Sequence, residues 1–149
     1  MKGKTKLYVA YGSNLNTGQM AYRCPWASVY GKGHIDGYEL LFRRVATIEK
    51  KEGSKVPVGV WSIFPDDEIA LDRYEGYPHL YRKEIVTVDM GKEKVDAMVY
   101  IMNEDQGRYA LPNKSYYGTI MGGYEDIGLD TRYLKTALVR TAEKIEGKK

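Results

Sequence analysis

The first apolar run, Leu7, Tyr8, Val9, Ala10 and Tyr11, stops abruptly at Gly12, Ser13 and Asn14. Five β-formers in a row suit a buried strand. Three small or locally hydrogen-bonding residues then end it. Asn16 stands three residues before Gln19, the amide version of a capping box, and predicts a short helix to about Arg23. A strand, a tight polar turn and a helix in succession gather backbone N–H groups around one point, the geometry of an anion nest. An ordinary strand-to-helix turn has the same local pattern.

Further along, residues 38–43 read as a strand. Residues 45–63 read as two more, joined by a polar, Gly-containing turn at 50–55, with Pro57 near the start of the second. Pro65, Asp66, Asp67 and Glu68 form a helix-start signal, with acids where the dipole favours them. That helix runs through Ile69, Ala70, Leu71 and Tyr74, and Gly76 and Pro78 supply its stop. Two strands follow over 81–90 and 94–102. A Gly-rich stretch at 118–123 has the composition of a close-approach loop. A second long helix covers 130–146, with Leu134, Leu138, Ala142 and Ile145 on one face. Strands and helices grouped rather than alternating predict an α+β fold with a mainly antiparallel, barrel-like sheet. One domain is expected over residues 1–149, with 1–6 and 147–149 as flexible tails.

Composition narrows the function classes. With 43% hydrophobic and 29% charged residues, the chain has the balance of a globular protein and not of a disordered one. No apolar run reaches the roughly 18 residues that span a bilayer, and the run after the N-terminal lysines is too short for a secretory leader. A cytoplasmic protein without membrane association is the expectation. The net charge is +3, but Lys2, Lys4, Lys6, Lys148 and Lys149 sit at the two ends, and without them the balance turns negative. Fourteen tyrosines have no interleaved Lys/Arg track, so nucleic acid is not an expected partner. One cysteine excludes an internal disulfide, and no Cys or His set has zinc spacing, so no metal site is expected. Cys24 reads as a small buried hydrophobe, and His34 as a strand-edge residue. Trp26 and Tyr30 suit a dimer face or a barrel cap, which leaves monomer and homodimer both open.

Glu75 is the residue singled out for chemistry. It falls at the end of the predicted helix, where the dipole disfavours a negative charge by roughly 0.3–1 kcal/mol. Tyr74, Tyr77 and Tyr81 surround it with apolar rings and hydroxyls. Both effects push a carboxyl group upward, toward the range of a general acid or base. An exposed Glu beside a capping glycine fits the local sequence as well. Asp72, Glu84 and the acids at 66–68 read as solvated surface or dipole partners. No Walker loop, dinucleotide fingerprint or nucleophile elbow occurs.

Taken in order, these pieces resemble the gamma-glutamyl cyclotransferase family. The resemblance rests on Tyr11, Gly12, Ser13, Asn14 and Leu15 after the first strand, on "GYELLF", and on Ala46, Thr47 and Ile48. It continues with Gly59, Val60 and Trp61, with the segment from Leu71 to Glu75 and Gly76, and with Pro112, Tyr116, Ile120, Gly123, Gly128 and Leu129. It implies a small β-barrel with a cavity at its mouth. It also implies cleavage of a γ-glutamyl amide to 5-oxoproline and a free amine, an acyl transfer classed with transferases and lyases. Glu75 would be the acid/base, and the turn from Tyr11 to Leu15 would hold the glutamyl group. Tyr81, Tyr100 and Tyr116 would line the pocket. The partner would be a small-molecule γ-glutamyl substrate, with no cofactor, and residues 103–114 would select the amine. A non-catalytic module binding a carboxylate-bearing small molecule or peptide end is the alternative.

Overall fold

The computed structural model describes residues 3–147, and five strands close into a barrel in the order β1-β3-β2-β4-β5. They are β1 (Lys6–Ala10), β2 (Ser28–Arg43), β3 (Val45–Ile63), β4 (Tyr81–Asp89) and β5 (Lys94–Met102). Neighbours run antiparallel except β1 and β5, which close the barrel in parallel through Tyr8 opposite Met98 and Val9 opposite Val99. Helices α1 (Thr17–Arg23), α2 (Pro65–Glu75), α3 (Lys114–Ile127) and α4 (Arg132–Gly147) flank it. The α+β barrel expected from the sequence is therefore present. Among the described residues no helix is long and apolar enough to cross a membrane. Lys6, expected in a flexible tail, opens β1, and Gly147 closes α4; residues 1, 2, 148 and 149 lie outside the described residues.

Alternation builds the core. Val56, Val58 and Val60 of β3 point inward with Ile35, Leu40 and Phe42 of β2 and Val86 and Val88 of β4, all buried. β5 is buried without a break from Ala97 to Met102, as a strand with both faces covered must be. Cys24 is buried, and burial pushes its thiol up to about 11, as suits a packing residue. His34 sits in β2 opposite Asp89.

Three local expectations are corrected. The reversal expected at 50–55 lies instead at Arg44, which takes a left-handed φ of 73° between the paired residues Arg43 and Val45. Residues 51–54 form an excursion inside one long strand, opposite the shift between Asp36 and Tyr38. Pro57 thus lies mid-strand, beyond the point where β1 pairs with β3, so its missing N–H costs no bond to β1. The Gly-rich stretch 118–123 is helical, within α3. The buried face of α4 is Leu134, Ala137 and Thr141, while Ile145 is exposed. Thr141 belongs inside because its Oγ1 accepts the Phe42 N–H at 3.1 Å.

Candidate active site at the barrel mouth

The turn after β1 is a short 3-10 helix, Ser13–Leu15, closed by Leu15 N–H to Gly12 O and Asn16 N–H to Ser13 O, both 3.0 Å. A 3-10 turn leaves its leading amides without an internal acceptor, and those belong to Ser13 and Asn14. Asn16 then caps α1 as expected, accepting the Gln19 N–H at 3.0 Å. Packing fixes the turn from outside. A Cβ on Gly123 would stand 2.6 Å from Asn16 N and Leu15 C, so α3 lies directly against the turn backbone. Trp61 anchors it from β3, donating Nε1–H to Asn14 O at 3.1 Å.

This turn forms one wall of a cavity of about 270 Å³ at the barrel mouth. The ends of β1 and β5, the starts of β3 and β4, the end of α2 and the start of α3 converge there. Of the residues singled out in the sequence, Tyr11, Gly12, Ser13, Asn14, Glu75, Tyr81, Tyr100 and Tyr116 all line it. Leu15 does not: its side chain is fully buried and packs toward Gly59 and Gly123. Tyr8, Val9, Val45, Ala46, Tyr74 and Leu80 complete the wall. Tyr74 adjoins Glu75 in sequence, whereas Tyr8 reads as one more strand residue until the barrel closes. None of residues 103–114 lines the cavity. That loop instead ties to the hairpin tip, through Arg44 N–H to Ala110 O at 2.8 Å.

The tyrosines are held by their hydroxyls. Tyr11 OH donates to Tyr100 O at 2.7 Å, and Tyr81 OH to Ala46 O at 2.6 Å; Tyr116 OH accepts Ala46 N–H at 3.0 Å. Tyr100 OH donates to Asp72 at 2.5 Å. Burial is the main cause raising the hydroxyls of Tyr8, Tyr11, Tyr81, Tyr100 and Tyr116 above the ordinary phenol value, so all stay neutral in use. Asp72, expected as solvated surface, anchors Tyr100 and pairs with Lys83 at 3.0 Å. Asp67 is buried and caps α2, accepting the Phe64 N–H at 2.9 Å.

Glu75 is the last residue of α2, before Gly76 in the left-handed conformation. Burial pushes its carboxyl up to about 7, with the Arg23 charge pulling the other way. Among the described residues Glu75 forms no ion pair; Asn14 Nδ2 reaches its Oε2 at 3.5 Å. A carboxyl group near 7, beside backbone donors in a small cavity, can exchange a proton with a ligand whose anionic end sits on the turn. Away from the cavity, His34, Asp36 and Asp89 bring ligand-type atoms within 4.8 Å of one another. They meet only through the pairing of β2 with β4, which spacing along the chain does not reveal.

Residues 8–118 match the family described as "Gamma-glutamyl cyclotransferase, AIG2-like". The chain belongs to this family. It is 30% identical over 148 residues to a gamma-glutamylcyclotransferase of Bos taurus, covering 89% of this chain and 77% of the relative. A solved structure named "Gamma-glutamyl cyclotransferase" superposes with a TM-score of 0.81 at 25% identity, covering 90% of this chain and 86% of that one. A crystal structure of the Homo sapiens protein loc79017 superposes at 0.79, also at 25% identity, over 91% and 87% of the two chains. Membership indicates a gamma-glutamylcyclotransferase-like enzyme acting on a small molecule. The turn and Glu75 lie in two of the sequence blocks that carried the family resemblance.

Proposed function

We propose that the protein cleaves a γ-glutamyl amide to 5-oxoproline and a free amine, with Glu75 as general base and then general acid. One observation carries the reading: a carboxyl group raised to about 7 shares a small cavity with the turn at 12–14. In this mechanism the leading amides of the turn hold the α-carboxylate of the glutamyl group. The small residues Gly12 and Ser13 let it approach the backbone. Tyr11, Tyr81, Tyr100 and Tyr116 form walls that keep the glutamyl chain folded, and Leu15 anchors the turn from the core side.

Glu75 takes a proton from the substrate's α-ammonium. The freed nitrogen attacks the γ-carbonyl carbon and closes a five-membered ring. Glu75 passes that proton to the leaving nitrogen, takes the second proton from the ring nitrogen as the tetrahedral intermediate breaks its bond to the leaving group, and gives it to the departing amine, which leaves as an ammonium beside a neutral lactam. The substrate carries its own nucleophile, so the protein need only fold it and move two protons in turn from the attacking to the leaving nitrogen. Holding the ends together supplies up to roughly 7–11 kcal/mol in favourable intramolecular cases, and the proton transfer about 10²–10⁴-fold.

The test is 5-oxoproline release from γ-glutamyl-alanine, γ-glutamyl-ε-lysine, γ-glutamyl-putrescine and γ-glutamyl-butylamine, comparing wild type with Glu75→Gln. Release by wild type alone supports the assignment, and the preferred compound identifies the amine. An undiminished rate in Glu75→Gln removes Glu75 from the mechanism. Compounds bound but left intact over hours would make the cavity a binding module instead.

A further inference from the structure

Arg23 touches the site without lining the cavity. It is the last residue of α1, and its guanidinium lies over the Tyr74 ring, 3.5 Å from the centroid. Nη2–H donates to Gln19 Oε1 at 3.0 Å, one turn back on α1, and Nη1–H donates to Asn14 Oδ1. A guanidinium has only donors, so the atom of Asn14 facing it must be the oxygen. The amide nitrogen therefore faces the other way, toward Tyr8 OH at 2.8 Å and Glu75 Oε2 at 3.5 Å. Without Arg23 the amide could turn over and present its oxygen to the carboxylate, a repulsive contact for the ionised form.

We propose that Arg23 is the positioning residue of this site, locking the Asn14 amide so that it donates toward Glu75. The inference rests on the reading of Glu75 as acid/base and adds the device that keeps its ionised form in place. Stacking on Tyr74 and bonding to Gln19 hold the guanidinium on both sides, so the end of α1 is fastened to the end of α2 beside the reactive carboxylate. The planar fork matters here, because a lysine has neither a flat face for the ring nor donors fixed in one plane toward two amide oxygens.

Charge acts in the same direction. The titratable groups sharing the cavity with Glu75 are Tyr8 from β1, Tyr11 just after it, Tyr74 from α2, Tyr81 from β4, Tyr100 from β5 and Tyr116 from α3. Arg23 from α1 is the cation acting on the Glu75 carboxylate against burial. Losing it removes the attraction that holds the carboxyl down against burial.

The experiment is the pH profile of kcat and KM for wild type, Arg23→Gln, Arg23→Lys, Asn14→Ala and the double variant Arg23→Lys with Asn14→Ala, using the best γ-glutamyl compound. In Arg23→Gln the acidic limb should move up by about one pH unit, with kcat at pH 7 down about fivefold and KM changed less. Arg23→Lys should keep the limb near its wild-type position but lose kcat across the whole profile. In the Asn14→Ala background, Arg23→Lys should cause little further loss, because the amide it would have released is absent. A purely structural role predicts a lower melting temperature with an unmoved limb, and effects of Arg23→Lys and Asn14→Ala that simply multiply; either result overturns the proposal. Titration of Glu75 by carbon-13 NMR in wild type and Arg23→Gln gives a readout independent of turnover. A moved midpoint in a protein that releases no 5-oxoproline would leave Arg23's role standing and sink the catalytic reading alone. An unmoved midpoint in an active enzyme would do the reverse.

Discussion

The ends of α2 and α3 stop in the same way and serve opposite purposes. Each closes on a left-handed glycine, Gly76 with φ 66° and Gly128 with φ 86°. In each, the residue after the glycine donates back along the helix, Tyr77 N–H to Asp72 O at 2.9 Å and Leu129 N–H to Tyr124 O at 2.7 Å. At the end of α3 a cation meets the negative pole: Lys32 Nζ donates to Gly128 O at 2.8 Å. At the end of α2 stands Glu75, whose charge opposes the dipole and is raised by burial. The rest of α2 is neutralised, since Lys83 bonds Glu68 at 2.6 Å and pairs with Asp72 at 3.0 Å, and Lys6 pairs with Glu68 at 2.8 Å. One helix end is arranged for stability. The other carries a carboxylate that burial destabilises, and the proposed chemistry in the cavity would account for it.

The largest expected break of this contrast is in turnover. Glu75→Gln keeps the size and polarity of the side chain and removes the transferable proton, so 5-oxoproline release should fall by about 10²–10⁴-fold. Circular dichroism should be unchanged and 5-oxoproline should still stabilise the variant in a thermal shift. If the variant instead lost its fold, Glu75 would be a structural residue like the acids earlier on α2.

The next effect concerns how α3 holds the turn opposite Glu75. A Cβ on Gly123 would meet the backbone of Leu15 and Asn16, which cannot yield as a flexible side chain would. Gly123→Ala should cost about 1–3 kcal/mol of stability through overpacking and lower kcat/KM about tenfold or more by displacing the turn. Gly118→Ala on the same helix meets nothing within 4 Å. It should leave activity alone and raise stability by roughly 1 kcal/mol through helix propensity. Denaturant melts of the two variants, side by side with the assay, separate these outcomes.

How much of this was legible in the sequence depended on whether the signal was local. Pro65, the acids after it and Gly76 fix the bounds of α2, and with them the position of Glu75 at a helix end. Asn16 and Gln19 give the start of α1 for the same reason. The reversal at Arg44 was hidden because Arg43, Arg44 and Val45 contain no turn former, while Gly53 drew the turn to an excursion inside β3. The glycines of α3 dilute helix propensity, and the contact that justifies Gly123 is with residues more than a hundred positions earlier. An apolar pattern passes over Thr141, though its hydroxyl is what lets α4 satisfy a buried β2 amide. In the site, Tyr8, Val45 and Leu80 share no pattern along the chain, and Leu15 carries the motif while facing the core.

The third effect separates the cost of Glu75 from its use. A carboxyl raised to about 7 in the folded protein binds its proton more tightly there than in the unfolded chain, whose ordinary value is 4.5. The stability this gives is fully present below pH 4.5 and is lost as pH rises through about 7. Wild type should therefore lose roughly 3 kcal/mol relative to Glu75→Gln between pH 4.5 and pH 8. Chemical denaturation at a series of pH values measures the difference. Parallel curves for the two proteins would place Glu75 in solvent.

The smallest effect lies at the other helix end. Lys32→Met removes the cation from the carbonyl of Gly128 and keeps most of the apolar stem. It should cost about 0.3–1 kcal/mol, less in high salt, because the side chain is exposed and the dipole is screened there. Turnover and its pH profile should not move, since Lys32 is not part of the cavity wall. The value of so small a change is that it puts a scale on the dipole at an end of this fold where nothing else competes. If Lys32→Met is worth only a few tenths of a kcal/mol, the dipole at the matching end of α2 is equally minor. The rise of Glu75 then comes from burial in the cavity, which a ligand seated on the turn would deepen by excluding water. A much larger, salt-independent loss would mean that the stem of Lys32 packs as well as pairs, and the two ends would no longer be a fair measure of each other.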